Sequence, residues 1–227
     1  MKLQPELSNW ILYEDDDIVV INKPSGLLSV PGKGEHNKEC VHTHLSTSHP
    51  NALIVHRLDM DTSGIMIIAL HKDAHRALSI QFQDRQVDKT YYAICQGHCS
   101  LPQGHIQLPM RCDWDRRPKQ IIDFIHGRHA QTNWQVIEQG TSFFSVKLNP
   151  ITGRSHQLRL HMKSIGHPIL GDLLYADKIS FQRTTRLMLH ASEIEFTHPR
   201  TLQPITIKCA PDFSTTGIDS ALSDIKQ

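Results

Sequence analysis

The amino-acid sequence predicts an α+β domain whose mixed, mainly antiparallel sheet is flanked by helices. Short runs rich in β-branched and aromatic residues recur between polar or glycine breaks, which is the pattern of strands joined by short connections. Helical periodicity is confined to a few segments, so strands outnumber helices and do not alternate with them one for one as in a parallel fold. With 39% hydrophobic and 21% charged residues and 12 Gly and 12 Pro, the 227-residue chain has ordinary globular composition.

The elements follow in order. Ile18 to Asn22 is a β-branched run entered from the acidic turn Glu14 to Asp17 and stopped by Lys23-Pro24-Ser25-Gly26. Lys38 to Ser48 is read as a short helix. Ile54 to His56 extends into a polar loop that ends at Gly64, and the apolar run Ile65 to Leu70 reads as a buried strand. Asp73 is placed as the N-cap of a helix through Ala74, Ala77, Leu78 and Phe82. Lys89 to Gln96, Gln120 to Ile125, Gln131 to Glu138 and Ser142 to Leu148 are strand-like. Thr152-Gly153 opens a helix through Leu158, Met162 and Ile165, closed by Gly166 with Pro168 beyond. Arg186 to Ala191, Ile194 to Thr197 and Pro204 to Cys209 complete the strands, and residues 214–227 form a polar tail. No linker divides residues 1–213, which read as one domain.

Composition bounds the function classes. The N-terminus lacks the apolar core of a signal peptide, and no segment approaches the roughly 18 apolar residues of a membrane helix. The five cysteines are odd in number, scattered and without a CxxC pair, so neither disulfides nor a thiolate zinc site are expected, and a reducing cytoplasm fits best. The net charge of +1 counts against a nucleic-acid partner, since phosphate binding usually leaves an excess of Lys and Arg. The distribution counts for one: Arg111, Arg116, Arg117 and Lys119 cluster, as do Arg154, Arg159 and Lys163, while acid gathers at Glu14 to Asp17.

The sharpest feature is His56-Arg57-Leu58-Asp59-Met60-Asp61-Thr62-Ser63-Gly64, a charged loop between two apolar runs. Burial on both sides makes an unpaired carboxylate costly there. An Arg at about 4 Å would supply about 4 kcal/mol at an effective dielectric of 20. From this segment alone, a solvated loop in which Asp59 or Asp61 caps a turn carries equal weight.

That segment resembles the HRLDxxTSG signature of the pseudouridine synthases, in particular the subfamily of ribosomal large-subunit pseudouridine synthase A. Asn22 to Gly26 resembles the family's first motif, Lys89-Thr90-Tyr91 sits where its tyrosine is expected, Gly153 to Arg159 matches GRxHQLR, and Leu187 to Ala191 resembles the last motif. With Arg117 to Gln120 and His167 to Asp172, the match runs in order from about Trp10 to Phe213. The resemblance implies the pseudouridine synthase catalytic fold and isomerisation of uridine to pseudouridine in structured RNA, without a cofactor. It makes Asp59 the catalytic carboxylate, Arg159 its partner, Tyr91 the ring that stacks on the uracil and Leu189 a wall of the pocket. Arg57 would fill the space left by the flipped base, and Arg154, His156, Gln157 and Lys119 would lie at the RNA. The subfamily's use of large-subunit ribosomal RNA and a transfer-RNA anticodon loop implies the same RNA partners here and implies no protein partner, and the lack of a long apolar segment leaves no membrane expected. The first motif lies too near the start of the sequence for the N-terminal RNA-binding domain of some relatives.

Simpler readings stand beside these. Tyr91 on its own would be a core aromatic, with Tyr92 facing the other way as the control. The charges from Arg154 to Lys163 could be the solvated face of a helix. His36, His42 and His44 lack companions at zinc spacing, so no metal is expected. Gly32-Lys33-Gly34 is too short for a phosphate loop, and Asp61 is expected to face solvent or cap the next turn. Two rival functions are a non-catalytic RNA-binding protein that keeps the fold and an RNA glycosylase, the latter weakened by the lack of a second cooperating carboxylate.

Overall fold

In the computed structural model, residues 9–32, 34, 38–215 and 218 are described. His36 and nearly all of the polar tail lie outside them. Along the chain run β1 (Ile11–Glu14), β2 (Ile18–Lys23), α1 (Val41–Leu45), β3 (Leu53–Ile54), β4 (Ser63–Ala69), α2 (Lys72–Gln83), β5 (Asp88–Gln96) and β6 (Gln103–Gln107). There follow β7 (Met110–Cys112), β8 (Gln120–Ile122), β9 (Gln131–Gln139), β10 (Phe143–Pro150), α3 (Gln157–Ser164), α4 (Lys178–Gln182), β11 (Leu189–Thr197) and β12 (Pro204–Lys208). The fold is α+β with mainly antiparallel strands. The chain divides into two compact units, Met1–Lys89 with Ala191–Ala210 and Thr90–His190 with Pro211–Gln227.

In the first unit the strand order is β1-β2-β4-β11, with β3 on β4 and β12 on β11. The acidic turn works as expected: the Asp15 Oδ1 atom accepts from the amides of Asp17 (2.8 Å) and Ile18 (2.9 Å), which starts β2. β2 runs antiparallel to β4 from Ile18 against Ala69 to Lys23 against Gly64. Every residue of β4 is buried, so its sequence is a continuous apolar run with no alternation. Ala74 and Leu78 of α2 join Ile18, Val20, Ile65, Ile67, Ile194 and Phe196 in one core.

The helix α2 begins earlier than its Asp73 cap was expected to place it. His71 is extended (φ −154, ψ 169) and its imidazole accepts from the Ala74 amide at 3.3 Å. The ring's other nitrogen lies 2.8 Å from Asp17 Oδ1, so Nε2 carries the proton and Nδ1 is left to accept. Asp73 falls in the first turn, where its charge still favours the helix dipole. The helix expected over 38–48 is the single turn α1, and the two strands expected over 186–197 are one strand, β11.

The second unit orders its strands β5-β10-β9-β6, with β7-β8 as a separate hairpin. Phe144, Val146 and Leu148 of β10, Ala93 to Cys95 of β5, and Leu158 and Met162 of α3 share its core. Strand β8 ends at Ile122, short of the expected Ile125, because Asp123 Oδ1 accepts from the amides of Ile125 and His126 (both 2.9 Å) and turns the chain. The helix α3 starts at Gln157 instead of 152–153, for a reason that lies in the site.

Candidate active site

The loop that carries Asp59 is held by its neighbours' backbone. The Lys23 side chain is fully buried, and its ammonium donates to the carbonyls of Pro24 (2.8 Å), Leu27 (2.8 Å) and Met60 (2.9 Å). The amide of Gly26, which sits at φ +82, donates to the same Met60 carbonyl at 2.9 Å. The Ser25 hydroxyl donates to the Asp61 carbonyl (2.7 Å), and Ser29 bonds both the carbonyl (2.8 Å) and the amide (3.1 Å) of Leu58. The amide of Thr62 closes the turn onto the Asp59 carbonyl at 3.2 Å. The residues on either side of Asp59 are thus fixed by the segment that follows β2, which fills out what the Asn22 to Gly26 motif does physically. Lys23, Ser25 and Ser29 were not among the expected site residues. A lysine ending a buried strand just before a Pro-Gly turn was the available signal.

The ends of this loop are equally constrained. His56 stacks on Phe82 with ring centroids 4.5 Å apart, and its Nε2 accepts from the amide of Ile67 at 3.0 Å. Burial, helped by the positive charge of Lys89, depresses its pKa from 6.5 to about 3, so it is a neutral brace and not a general acid. Gly64 sits at φ +111, and a Cβ there would lie 2.3 Å from the carbonyl oxygen of Ala191 in β11. The last residue of the motif is a glycine because two backbones touch there. Asp59 and Asp61 are half-buried and Arg57 is exposed.

The other expected residues belong to the second unit. Arg159 is 2% exposed and Asp172 0%, so Arg159 is no part of a solvated helix face. The guanidinium forms a two-pronged bond to Asp172, Nε to Oδ2 and Nη2 to Oδ1, each at 2.8 Å. Asp172 Oδ1 also accepts from the amides of Leu174 (2.9 Å) and Tyr175 (3.1 Å), and the Tyr175 ring lies 5.4 Å from the guanidinium carbon. Tyr91 packs, half-buried, on the core that contains Leu148, Leu158 and Leu189. Tyr92 leans on Phe213 at 5.9 Å. Leu189 is buried at the start of β11.

Gln157 turns inward. Its Oε1 accepts from the Thr152 hydroxyl (2.7 Å) and the Arg154 amide (3.0 Å), and its Nε2 donates to the Gln131 carbonyl (2.9 Å) and the Thr132 hydroxyl (3.0 Å). Those bonds keep residues 152–155 out of the helix, and His156, in the left-handed region at φ 55, becomes its N-cap. Thr132 in turn bonds His161 Nδ1 (2.9 Å), whose Nε2 lies 3.1 Å from the Leu108 carbonyl; burial lowers the pKa of this imidazole. The buried side chains of Thr132, Gln157 and His161 are therefore all partnered. Gln157 shapes the turn that carries Arg154 and His156 instead of reaching outward.

The β7-β8 hairpin holds the Arg111 to Lys119 cluster. Arg111 pairs with Asp123 at 2.5 Å and Arg116 with Asp113 at 2.7 Å, so the basic run is partly neutralised by its own acids. Trp114 is 64% exposed with the Arg117 guanidinium carbon 3.9 Å from its ring centroid. Lys119 is half-buried beside it. Among the described residues, Asp15, Asp17 and His198 bring three ligand atoms within 4.8 Å of one another. Arg200 Nε already lies 2.8 Å from Asp17 and His198 Nε2 2.8 Å from Asp15, so a cation and an imidazole proton occupy those oxygens. His44 lies 3.1 Å from Glu39.

The fold is α+β, a loop pinned from both flanks carries Asp59, and a buried arginine lies in a second motif. The chain belongs to the RNA pseudouridylate synthase family, whose model matches residues 17–164. It is 49% identical over 204 residues to the dual-specificity RNA pseudouridine synthase RluA of Yersinia pestis, covering 89% of this chain and 99% of that protein. It is 48% identical over 212 residues to RluA of Escherichia coli K12, covering 92% and 97%. Among solved structures, the human RNA pseudouridylate synthase domain containing 1 aligns with a TM-score of 0.79 at 27% identity, over 97% of this chain and 90% of that one. The protein is thus an RNA pseudouridine synthase, an isomerase acting on uridine in RNA. No helix among the described residues is long and apolar enough to cross a membrane.

Proposed function

We propose that this synthase isomerises uridine in two RNAs, large-subunit ribosomal RNA and a transfer-RNA anticodon stem-loop, in the cytoplasm, with Asp59 as its catalytic carboxylate. The dual-specificity relatives cover nearly their whole length with this chain, which supports two substrates. The clamp of Lys23, Gly26, Ser25 and Ser29 around Leu58, Met60 and Asp61 is the observation that carries the assignment of Asp59. A fold that spends a buried ammonium on the backbone beside one carboxylate is holding that carboxylate still.

The reaction breaks the bond from uracil N1 to the sugar C1′, rotates the base in the pocket, and joins C5 to the same carbon, with a proton lost from C5 and one gained at N1. Nothing is oxidised and no atom is added. Asp59 either attacks C1′ or takes a proton from the neighbouring sugar carbon; both routes need it ionised, the task assigned to Arg159. Tyr91 stacks on the uracil, Leu189 walls the pocket, and Arg57 enters the gap in the RNA, offsetting the few kcal/mol of extrusion. Arg154, His156 and Lys119 meet the RNA backbone. The motifs run in order from about Trp10 to Phe213, which supports reading residues 1–213 as one catalytic domain.

The test is tritium release from RNA labelled at uracil C5, on ribosomal and transfer-RNA transcripts, with wild type and Asp59→Asn. Release from both transcripts that vanishes in the variant is expected. Activity surviving Asp59→Asn would remove the carboxylate, and release of free uracil would make the enzyme a glycosylase.

A further inference from the structure

A buried ion pair is a poor way to stabilise a fold, because desolvating both charges consumes what their attraction returns. Arg159 and Asp172 are buried together all the same, at 2% and 0% exposure. The geometry is that of a fork: Nε and Nη2 meet the two carboxylate oxygens in parallel, each at 2.8 Å, which fixes the plane and the roll of the guanidinium. The carboxylate is itself fixed, since Oδ1 also accepts from the amides of Leu174 and Tyr175. Gly171, at φ +72, passes so close to the Arg186 carbonyl that a Cβ would overlap it, which sets where Asp172 leaves the backbone. The Tyr175 ring adds a face 5.4 Å from the guanidinium, while its hydroxyl accepts from the Gln120 amide at 2.7 Å and lies 2.9 Å from His156 Nδ1.

We infer that Asp172 is a positioning residue: it clamps one edge of Arg159 and so fixes the plane and roll of the guanidinium for the task proposed for it. Tyr175 supports the clamp from the face of the ring and ties it to the His156 cap. The inference rests on the proposed role of Arg159 toward Asp59. It explains why a buried acid follows Gly171 in a segment that contains no reacting group.

The experiment is a double-mutant cycle on the full-length protein with Asp172→Asn, Arg159→Met and the pair, read by single-turnover tritium release and by RNA binding to the same transcript. Asp172→Asn is expected to slow the single-turnover rate by about 10- to 100-fold, the scale of a misaimed group, with RNA affinity unchanged. In the Arg159→Met background the same change should cost nothing more. Should Asp172→Asn fail to fold, the charge-free pair Arg159→Met/Asp172→Leu replaces it and should match Arg159→Met alone. A wild-type rate in Asp172→Asn, a rate loss matched by lost RNA binding, or a further loss in the Arg159→Met background overturns the inference. If Asp59→Asn is inactive and Arg159→Met slow while Asp172→Asn is normal, only the positioning role fails. If Arg159→Met or Asp59→Asn is fully active, the reading of the site fails instead.

Discussion

Replacing Lys23 by Met keeps most of the side-chain volume and removes the ammonium from the segment behind the Asp59 loop. Three carbonyls lose a charged donor; that of Met60 keeps the Gly26 amide, whereas those of Pro24 and Leu27 lose the bonds at 2.8 Å. Leaving two carbonyls that face the buried ammonium short of a donor costs about 2–6 kcal/mol, and relief from burying an ammonium returns part of it, for a net loss of about 2–4 kcal/mol. For a chain of this size each kcal/mol is worth about 2–4 °C, so the melting temperature should fall by about 4–16 °C. The catalytic effect should be separable. With Met60 released beside Asp59, single-turnover tritium release measured well below the new melting temperature should drop by up to about 100-fold. Calorimetry and the release assay read the two losses independently. A melting temperature within about 2 °C of wild type, less than the cost of one lost bond, together with an unchanged rate would refute the view that Lys23 pins the loop.

Two more predictions concern the ends of the same loop. The folded protein holds the His56 pKa near about 3 against 6.5 unfolded, so on acidification the unfolded chain takes up the proton first and stability falls by at most about 1.4 kcal/mol per unit between those values. His56→Gln, which keeps an acceptor for the Ile67 amide, should flatten the fall in melting temperature between pH 6.5 and 4 by removing this contribution; equal slopes in the two proteins would show that His56 is not a buried neutral base. Gly64→Ala drives a Cβ to 2.3 Å from the Ala191 carbonyl at φ +111, and its folded yield and melting temperature should collapse, by well over 3 kcal/mol. A Gly64→Ala protein that melts like wild type would show that β4 and β11 do not need that close approach.

Most of the architecture was legible where a single physical rule governed. The run Ile65 to Leu70 declared a buried strand because a strand covered on all sides has no polar face to show, and the spacing of Leu158, Met162 and Ile165 with the close at Gly166 declared α3. Ends were less legible, because caps depend on residues far away: His71 could cap α2 only once Asp17 had fixed its proton, and Gln157 delayed α3 by bonds to Gln131 and Thr132. Strands β1, β6 and β7 were missed, being short and partly polar, and α4 is a single turn.

The sequence by itself determined the class of chemistry. The order and spacing of His56 to Gly64, Lys89 to Tyr91, Gly153 to Arg159 and Leu187 to Ala191 are local properties that carry the family resemblance, and the resemblance implies Asp59 as the carboxylate, Tyr91 as the ring and Arg159 as the cation. What only the tertiary structure decided is what holds those groups. Lys23 reaches Met60 across 37 positions and Arg159 reaches Asp172 across 13. Whether a lysine or an aspartate is a solvated charge or a buried brace depends on which backbone surrounds it, and that is set by how the strands pair, not by the identity of its neighbours in the chain.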